Sequence, residues 1–140
     1  MSSVYTRLHH KINELHIATL WFYYETIQQQ DATHMINCTC FVQEGQAPDQ
    51  NQDQLKALLG GFSQSSFSED AHITWIPVPV GNGFTEGKPS TSSVVSITAS
   101  EPLASDRRET LLRELVELWT DETGCSVDEI VAVIADPAQN

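Results

Sequence analysis

The stretch Gly81–Val95, GNGFTEGKPSTSSVV, divides the chain into two halves that read alike. Gly81, Gly83 and Gly87 allow a hairpin there, and Pro89 keeps a helix from running through it. On either side stand a strand-like run, a helix-like run and a second strand-like run, in the same order. A shift of 57 positions superposes Glu44 on Glu101, Asp49 on Asp106, Lys56 on Arg113, and Leu55 and Leu58 on Leu112 and Leu115. The same shift places Leu59 on Val116, Phe62 on Trp119, Ile73 on Ile130 and Ile76 on Val133. Apolar residues meet apolar residues at helical spacing in the middle and strand spacing at the ends, as a duplicated unit requires.

Before the hairpin, the first repeat spans residues 35–80. Ile36–Val42 predicts a strand, and Gly45 and Pro48 mark a loop. Asp49 or Asn51 is placed to cap a helix whose buried stripe is Leu55, Leu58, Leu59 and Phe62. Gly60-Gly61 costs about 1 kcal/mol per residue against alanine, which predicts a frayed or tightly packed helix end and a serine-rich exit. His72–Val80 predicts a strand, and Pro77 and Pro79, unable to donate to a ladder, place it at a sheet edge. After the linker, residues 81–92, the second repeat spans 93–137. Ser93–Ala99 is its first strand, Ser105 its helix cap, and Leu111, Leu112, Leu115, Val116 and Trp119 its inward stripe. Gly124 supplies a left-handed end, and Ile130–Ala135 is the closing strand.

Each repeat is thus β-α-β with its two strands parallel. Two of them predict an α/β fold: a four-stranded mixed sheet with two helices on one face and a bare opposite face. A half-covered sheet of this size normally meets a partner, most simply another copy of itself. Residues 1–34 stand outside the repeat as a helical extension. Val4, Leu8, Ile12 and Leu15 recur at helical spacing and lead into Leu20-Trp21-Phe22-Tyr23-Tyr24. That surface predicts packing across the sheet edge or a neighbouring subunit, narrowing the mouth of any pocket there. The internal Met35 also leaves open a start at the repeat itself.

The 140 residues hold 7 Lys+Arg against 19 Asp+Glu, a formal charge of -12. Such a surface repels phosphate backbones and anionic lipid, which argues against nucleic acid and membrane as partners. It also means that an anionic substrate needs a local cluster of the few cations. Cys38, Cys40 and Cys125 are an odd number without a spaced framework, which fits a reducing, cytoplasmic setting better than a disulfide scaffold. No apolar run reaches the roughly 18 residues of a membrane span. Cys38 and Cys40 share one strand face, with His34 upstream, but no second Cys/His pair completes a four-ligand zinc set. No Ser-His-Asp order or nucleotide-binding fingerprint is present, because GNGFTEG lacks a strand–helix context.

The paired units joined by WIPVPVGNGFTEGKPSTSSVV, followed by LLRELVELWTDETGCSVDEIVAVIAD, resemble the tautomerase superfamily. The resemblance covers about residues 35–137. It is to the fused two-repeat members of the cis-3-chloroacrylic acid dehalogenase and malonate semialdehyde decarboxylase kind. It implies a tautomerase fold (shared with macrophage migration inhibitory factor), a homotrimer whose sheets line a central barrel, and no cofactor or metal. The activity implied is keto–enol tautomerisation or a related proton transfer on small 2-oxo or unsaturated carboxylic acids. An amino-terminal proline serves there as general base, with arginines holding the substrate carboxylate. In this chain Ile36 stands where the resemblance calls for the proline, and Ser93 holds the corresponding place in the second repeat. An amide nitrogen inside a chain has no useful basicity. Gly45 and Leu103 occupy the loop positions of the binding arginine. The residues left for substrate binding are Lys88, Arg107, Arg108 and Trp75, the arginines being equally accounted for as helix-surface charge. His72 is the side chain left to move a proton, or is a satisfied strand-edge histidine. Two roles follow: a weakened tautomerase, or a non-catalytic binding or assembly subunit, in a homotrimer or in a mixed trimer with a proline-bearing homologue.

Overall fold

In the computed structural model, residues 35–138 are described. The extension over 1–34, with the helix and the narrowed pocket mouth expected of it, lies outside them. In chain order the elements are β1 (Ile36–Gln43), α1 (Asp49–Phe67), β2 (Ala71–Val78), β3 (Phe84–Thr85), β4 (Lys88–Pro89), β5 (Ser93–Thr98), α2 (Ser105–Thr123) and β6 (Ile130–Ala135). A 3₁₀ turn, Val127–Glu129, precedes β6.

The strands order as β2-β1-β5-β6, with the short β3–β4 hairpin apart. β1 and β2 run parallel, as do β5 and β6, and β1 and β5 are antiparallel where the halves meet. Thr39 pairs with Ser96, its own equivalent at the shift of 57, so the axis relating the halves passes between them. β2 is an edge strand, as Pro77 requires.

Alternate residues of the strands face the helices. Ile36, Cys38, Cys40 and Val42 of β1 and Val95 and Ile97 of β5 are buried against Leu55, Leu59 and Phe62 of α1 and Leu111, Leu115 and Trp119 of α2. Burial of a large aliphatic side chain contributes about 1.5–3 kcal/mol, so this layer carries the stability of the sheet. The opposite face holds Asn37, Thr39 and Phe41 in β1 and Val131 and Val133 in β6. Phe41 remains 41% exposed and Val131 49%. At one level Ile76, Phe41, Val94 and Val131 lie side by side across all four strands. This is a band of apolar residues that no described helix covers.

Three details differ from the sequence expectation. The gapless shift holds for the first strands only. The two helices are each 19 residues but start 13 residues after Ile36 and 12 after Ser93, so Leu55 matches Leu111 and Leu59 matches Leu115. The link after the helix is Ser68–Asp70 in the first repeat and Gly124–Glu129 in the second, so Ala71 is the counterpart of Ile130. In the second strands the true offset differs from 57 by two residues, so parity is kept and the simple shift still matched Ile73 to Ile130 and Ile76 to Val133 on their own faces. Second, α1 runs straight through Gly60-Gly61 to Phe67. Phe62 packs edge-on against Phe67 at 6.2 Å, and the buried Ser63 hydroxyl donates to the Glu69 carbonyl, anchoring the last turns against the glycine penalty. Third, Pro48 and Ala104 hold the cap positions, so Asp49 and Ser105 are first helical residues without a side-chain cap bond. Gly124 ends α2 at φ 73°, the left-handed geometry expected of it.

Candidate functional site

The sheet has two chemically different ends. The starts of β1 and β2 and the finishes of β5 and β6 form the Ile36 end, and the reverse set forms the Gln43 end. Eight strand residues place the two ends roughly 20–25 Å apart.

At the Ile36 end, the side chain of Ile36 is fully buried and its N–H donates to the Asp70 carbonyl at 2.9 Å. That nitrogen is a strand amide committed to a hydrogen bond, unable to take a proton. His72, the second residue of β2, lies exposed on the open face in register with Asn37. α2 starts at the same end. There Arg107 Nη2 donates to the Ser66 carbonyl, and Arg108 donates to the Leu103 carbonyl and pairs with Asp136. The Asp136 carboxyl is held below its ordinary range, first by the Leu103 N–H and then by Arg108. Topology therefore gathers Ile36, His72, Arg107 and Arg108 at one end, with the Arg108 charge already answered by Asp136.

Lys88 lies elsewhere, exposed on the hairpin beyond the Gln43 end. Trp75 faces the helices, stacked on Trp119 with ring centres 6.1 Å apart, and Lys56 Nζ stands 5.8 Å above its ring. Its outer edge lines a cleft of about 440 Å³ with Pro48, Pro77 and Pro79.

A second cleft at the Gln43 end, about 470 Å³, lies among the β1–α1 loop, the base of the hairpin and the α2–β6 link. The sequence patterns gave no hint of it. Gln46 braces it: its Nε2 donates to the Thr91 carbonyl at 2.8 Å and the Glu129 carbonyl at 2.7 Å, and its Oε1 accepts from Trp119 Nε1 at 2.8 Å. Gln43 donates its N–H to Ser93 Oγ at 3.0 Å, tying the end of β1 to the start of β5. Glu129 closes a capping box with Ser126; that backbone N–H, followed by the Thr91 hydroxyl, lowers its pKa below the ordinary range. Cys125 is half-buried in the wall.

The thiols of Cys38 and Cys40 are buried 3.9 Å apart. The hydrogen bond between them pushes the Cys40 thiol up, burial adding to it, and draws the Cys38 thiol down; both side chains are buried in the core as small apolar residues. Among the described residues no group of three or more His, Cys, Asp or Glu is placed to hold a metal ion. No helix among them is long and apolar enough to cross a membrane.

No family model matches the chain, and no curated protein matches it by sequence. Solved structures do match its fold. A member of the cis-3-chloroacrylic acid dehalogenase family superposes with a TM-score of 0.63 over 72% of this chain and 74% of its own, at 8% identity. A symmetric trimer of fused 4-OT gives 0.62 over 74% and 85%, at 12% identity. Macrophage migration inhibitory factor from Oncomelania hupensis gives 0.53 over 74% and 72%, at 11% identity. The fold is that of the tautomerase superfamily, as the resemblance in the sequence implies.

Proposed function

We propose that this chain is a tautomerase-fold assembly subunit that does not perform proline-type proton transfer. The observation that carries the reading is Ile36. Where the resemblance calls for a free secondary amine, the chain has a strand amide that donates to Asp70, beneath a buried aliphatic side chain. Losing a positioned general base typically costs 10²–10⁴-fold, about 3–5 kcal/mol of barrier. Assembly is supported by the Ile76–Phe41–Val94–Val131 band, an apolar surface of the kind that marks an interface. Fused 4-OT structures of this fold are trimers, which makes a trimer the natural form here.

The second reading is a weakened tautomerase acting on small 2-oxo or unsaturated acids. It is favoured by the gathering of His72, Arg107 and Arg108 at the Ile36 end, where Arg107 could hold a carboxylate and His72 or a water could move the proton. Lys88 and Trp75, remote from that end, then take no part within one subunit.

Ketonisation of phenylenolpyruvate or 2-hydroxymuconate tests the first reading. A rate indistinguishable from buffer at high protein concentration is expected, and turnover abolished by His72→Ala would overturn it in favour of the enzyme. Light scattering tests the assembly: a mass near three times 15.6 kDa is expected for the wild type and a smaller one for Phe41→Asp. A wild-type monomer would refute it.

A further inference from the structure

The stretch that divides the two repeats holds a pair of residues, Asn82-Gly83, whose backbone chemistry the assembly reading does not use. Asn82 alone of the chain's asparagines precedes a glycine. Asn37 lies in β1 and Asn51 in α1, where regular backbone hydrogen bonding fixes the ψ angle that leads to the next N–H. Asn82 lies exposed between β2 and β3, outside any strand or helix. Its own N–H donates to the Pro79 carbonyl at 3.0 Å, and the Gly83 carbonyl accepts from the Ser90 N–H at 2.8 Å. The Gly83 N–H between them has no acceptor among the described residues. That nitrogen and Asn82 Cγ are the right number of bonds apart to close a five-membered ring. With no Cβ on Gly83, nothing screens the approach and the backbone is free to turn into it.

We propose that Asn82-Gly83 is a self-modifying site, at which asparagine becomes isoaspartate and opens the base of the β3–β4 hairpin. The Gly83 nitrogen gives its proton to hydroxide and attacks Asn82 Cγ. The N–Cγ bond forms, the Cγ–Nδ2 bond breaks, and ammonia leaves with a proton taken from water. Water then opens the cyclic imide at either carbonyl, giving aspartate or isoaspartate, and nothing is oxidised or reduced. Isoaspartate routes the main chain through the side-chain carbons and lengthens it by one methylene just before Gly83. That is where the linker lies close against the domain. A Cβ built on Gly83 would stand 3.6 Å from Gln43 Oε1 and 3.8 Å from Val78 Cγ1 and Ser90 Cβ. A displaced Gly83 carbonyl leaves the Ser90 N–H unpaired and loosens the hairpin over Gln43. The site is independent of the assembly reading.

The test is to hold the full chain in warm, mildly alkaline buffer and follow residue 82 by peptide mapping. Protein isoaspartate methyltransferase with S-adenosylmethionine labels the isoaspartate formed. Methyl acceptors should accumulate at residue 82 ahead of residues 37 and 51, and faster as pH rises, since the attacking nitrogen must lose its proton. Asn82→Gln, which would need a six-membered ring, should leave the site almost unlabelled. Gly83→Ala should slow the reaction severalfold through its added methyl; the nearest atoms at 3.6 Å and beyond leave room for that variant to fold. In the isoaspartate form the Ser90 amide should exchange its hydrogen about fivefold faster or more, the factor that one lost hydrogen bond of ordinary net strength gives. Asn82→Asp, which carries the charge without the extra methylene, should keep the Ser90 amide protected. Labelling at Asn37 or Asn51 as fast as at Asn82, or a rate indifferent to pH or to Gly83→Ala, would overturn the proposal. Unchanged Ser90 exchange in the isoaspartate form, or the same loss of protection in Asn82→Asp, would overturn the opening of the hairpin.

Discussion

Replacing Gln46 by alanine removes one side chain that ties together four pieces of the domain. It sits in the β1–α1 loop, holds the Trp119 indole from α2, and grips the carbonyls of Thr91 after the hairpin and Glu129 before β6. The two carbonyl bonds, one exposed and one part-buried, contribute about 0.5–1 kcal/mol each in net terms. The third loss is larger, because Trp119 is wholly buried and its Nε1–H is left without an acceptor, a penalty of about 1–3 kcal/mol. Together these give roughly 3 kcal/mol, or a fall in Tm of about 12–24 °C for a domain of this size. Thermal melts followed by circular dichroism, at one fixed protein concentration because assembly would make Tm depend on it, measure the loss. A cycle with Trp119→Phe isolates the indole bond and should show coupling of about 1 kcal/mol or more, since the two residues share a partner. A fall below about 4 °C, or additivity within about 0.4 kcal/mol, would refute the brace.

Ile36→Pro removes the donor to Asp70 and unpacks a fully buried side chain; a loss of about 2–4 kcal/mol is expected in urea unfolding, with no ketonisation gained. New turnover in that variant would show that an internal proline suffices. Asp136→Asn should lower Tm at neutral pH. Because the folded pKa of Asp136 is depressed, its stabilisation is present above the unfolded value of about 3.9 and disappears as pH falls through the folded value, so the melting curves of variant and wild type should converge in acid. A difference that stays constant down to acid pH would dismiss this account. Leu115→Ala, at the centre of the α2 stripe, should cost about 2–5 kcal/mol by chemical denaturation, and a smaller loss would mean that the layer collapses around the gap. Gly124→Val forces a β-branched residue to φ 73° and should cost more than about 1 kcal/mol, read from the shift in urea midpoint.

The strands and helices were legible because each half-buried element writes its period into the sequence. Leu111, Leu115 and Trp119 recur on one helical face, and alternation in β1 separates Ile36, Cys38 and Cys40 from Asn37, Thr39 and Phe41. Pro77 announced an edge strand and Gly124 a helix end, both through backbone chemistry that other residues do not share. The ends of α1 were less legible, since the glycine penalty is local while the Phe62, Ser63 and Phe67 contacts that offset it are tertiary.

By itself, then, the sequence determined the order of elements, the duplication, the face each element buries and the absence of proline at the start of β1. Periodicity and residue type carry that information locally. Only the tertiary structure decided that the helix-to-strand link is longer in the second repeat, that His72, Arg107 and Arg108 share one end while Lys88 does not, and that an acidic cleft opens at the other. Those features arise from side chains far apart in sequence, as when Gln46 meets the Glu129 carbonyl 83 residues away, and no local pattern encodes such a meeting.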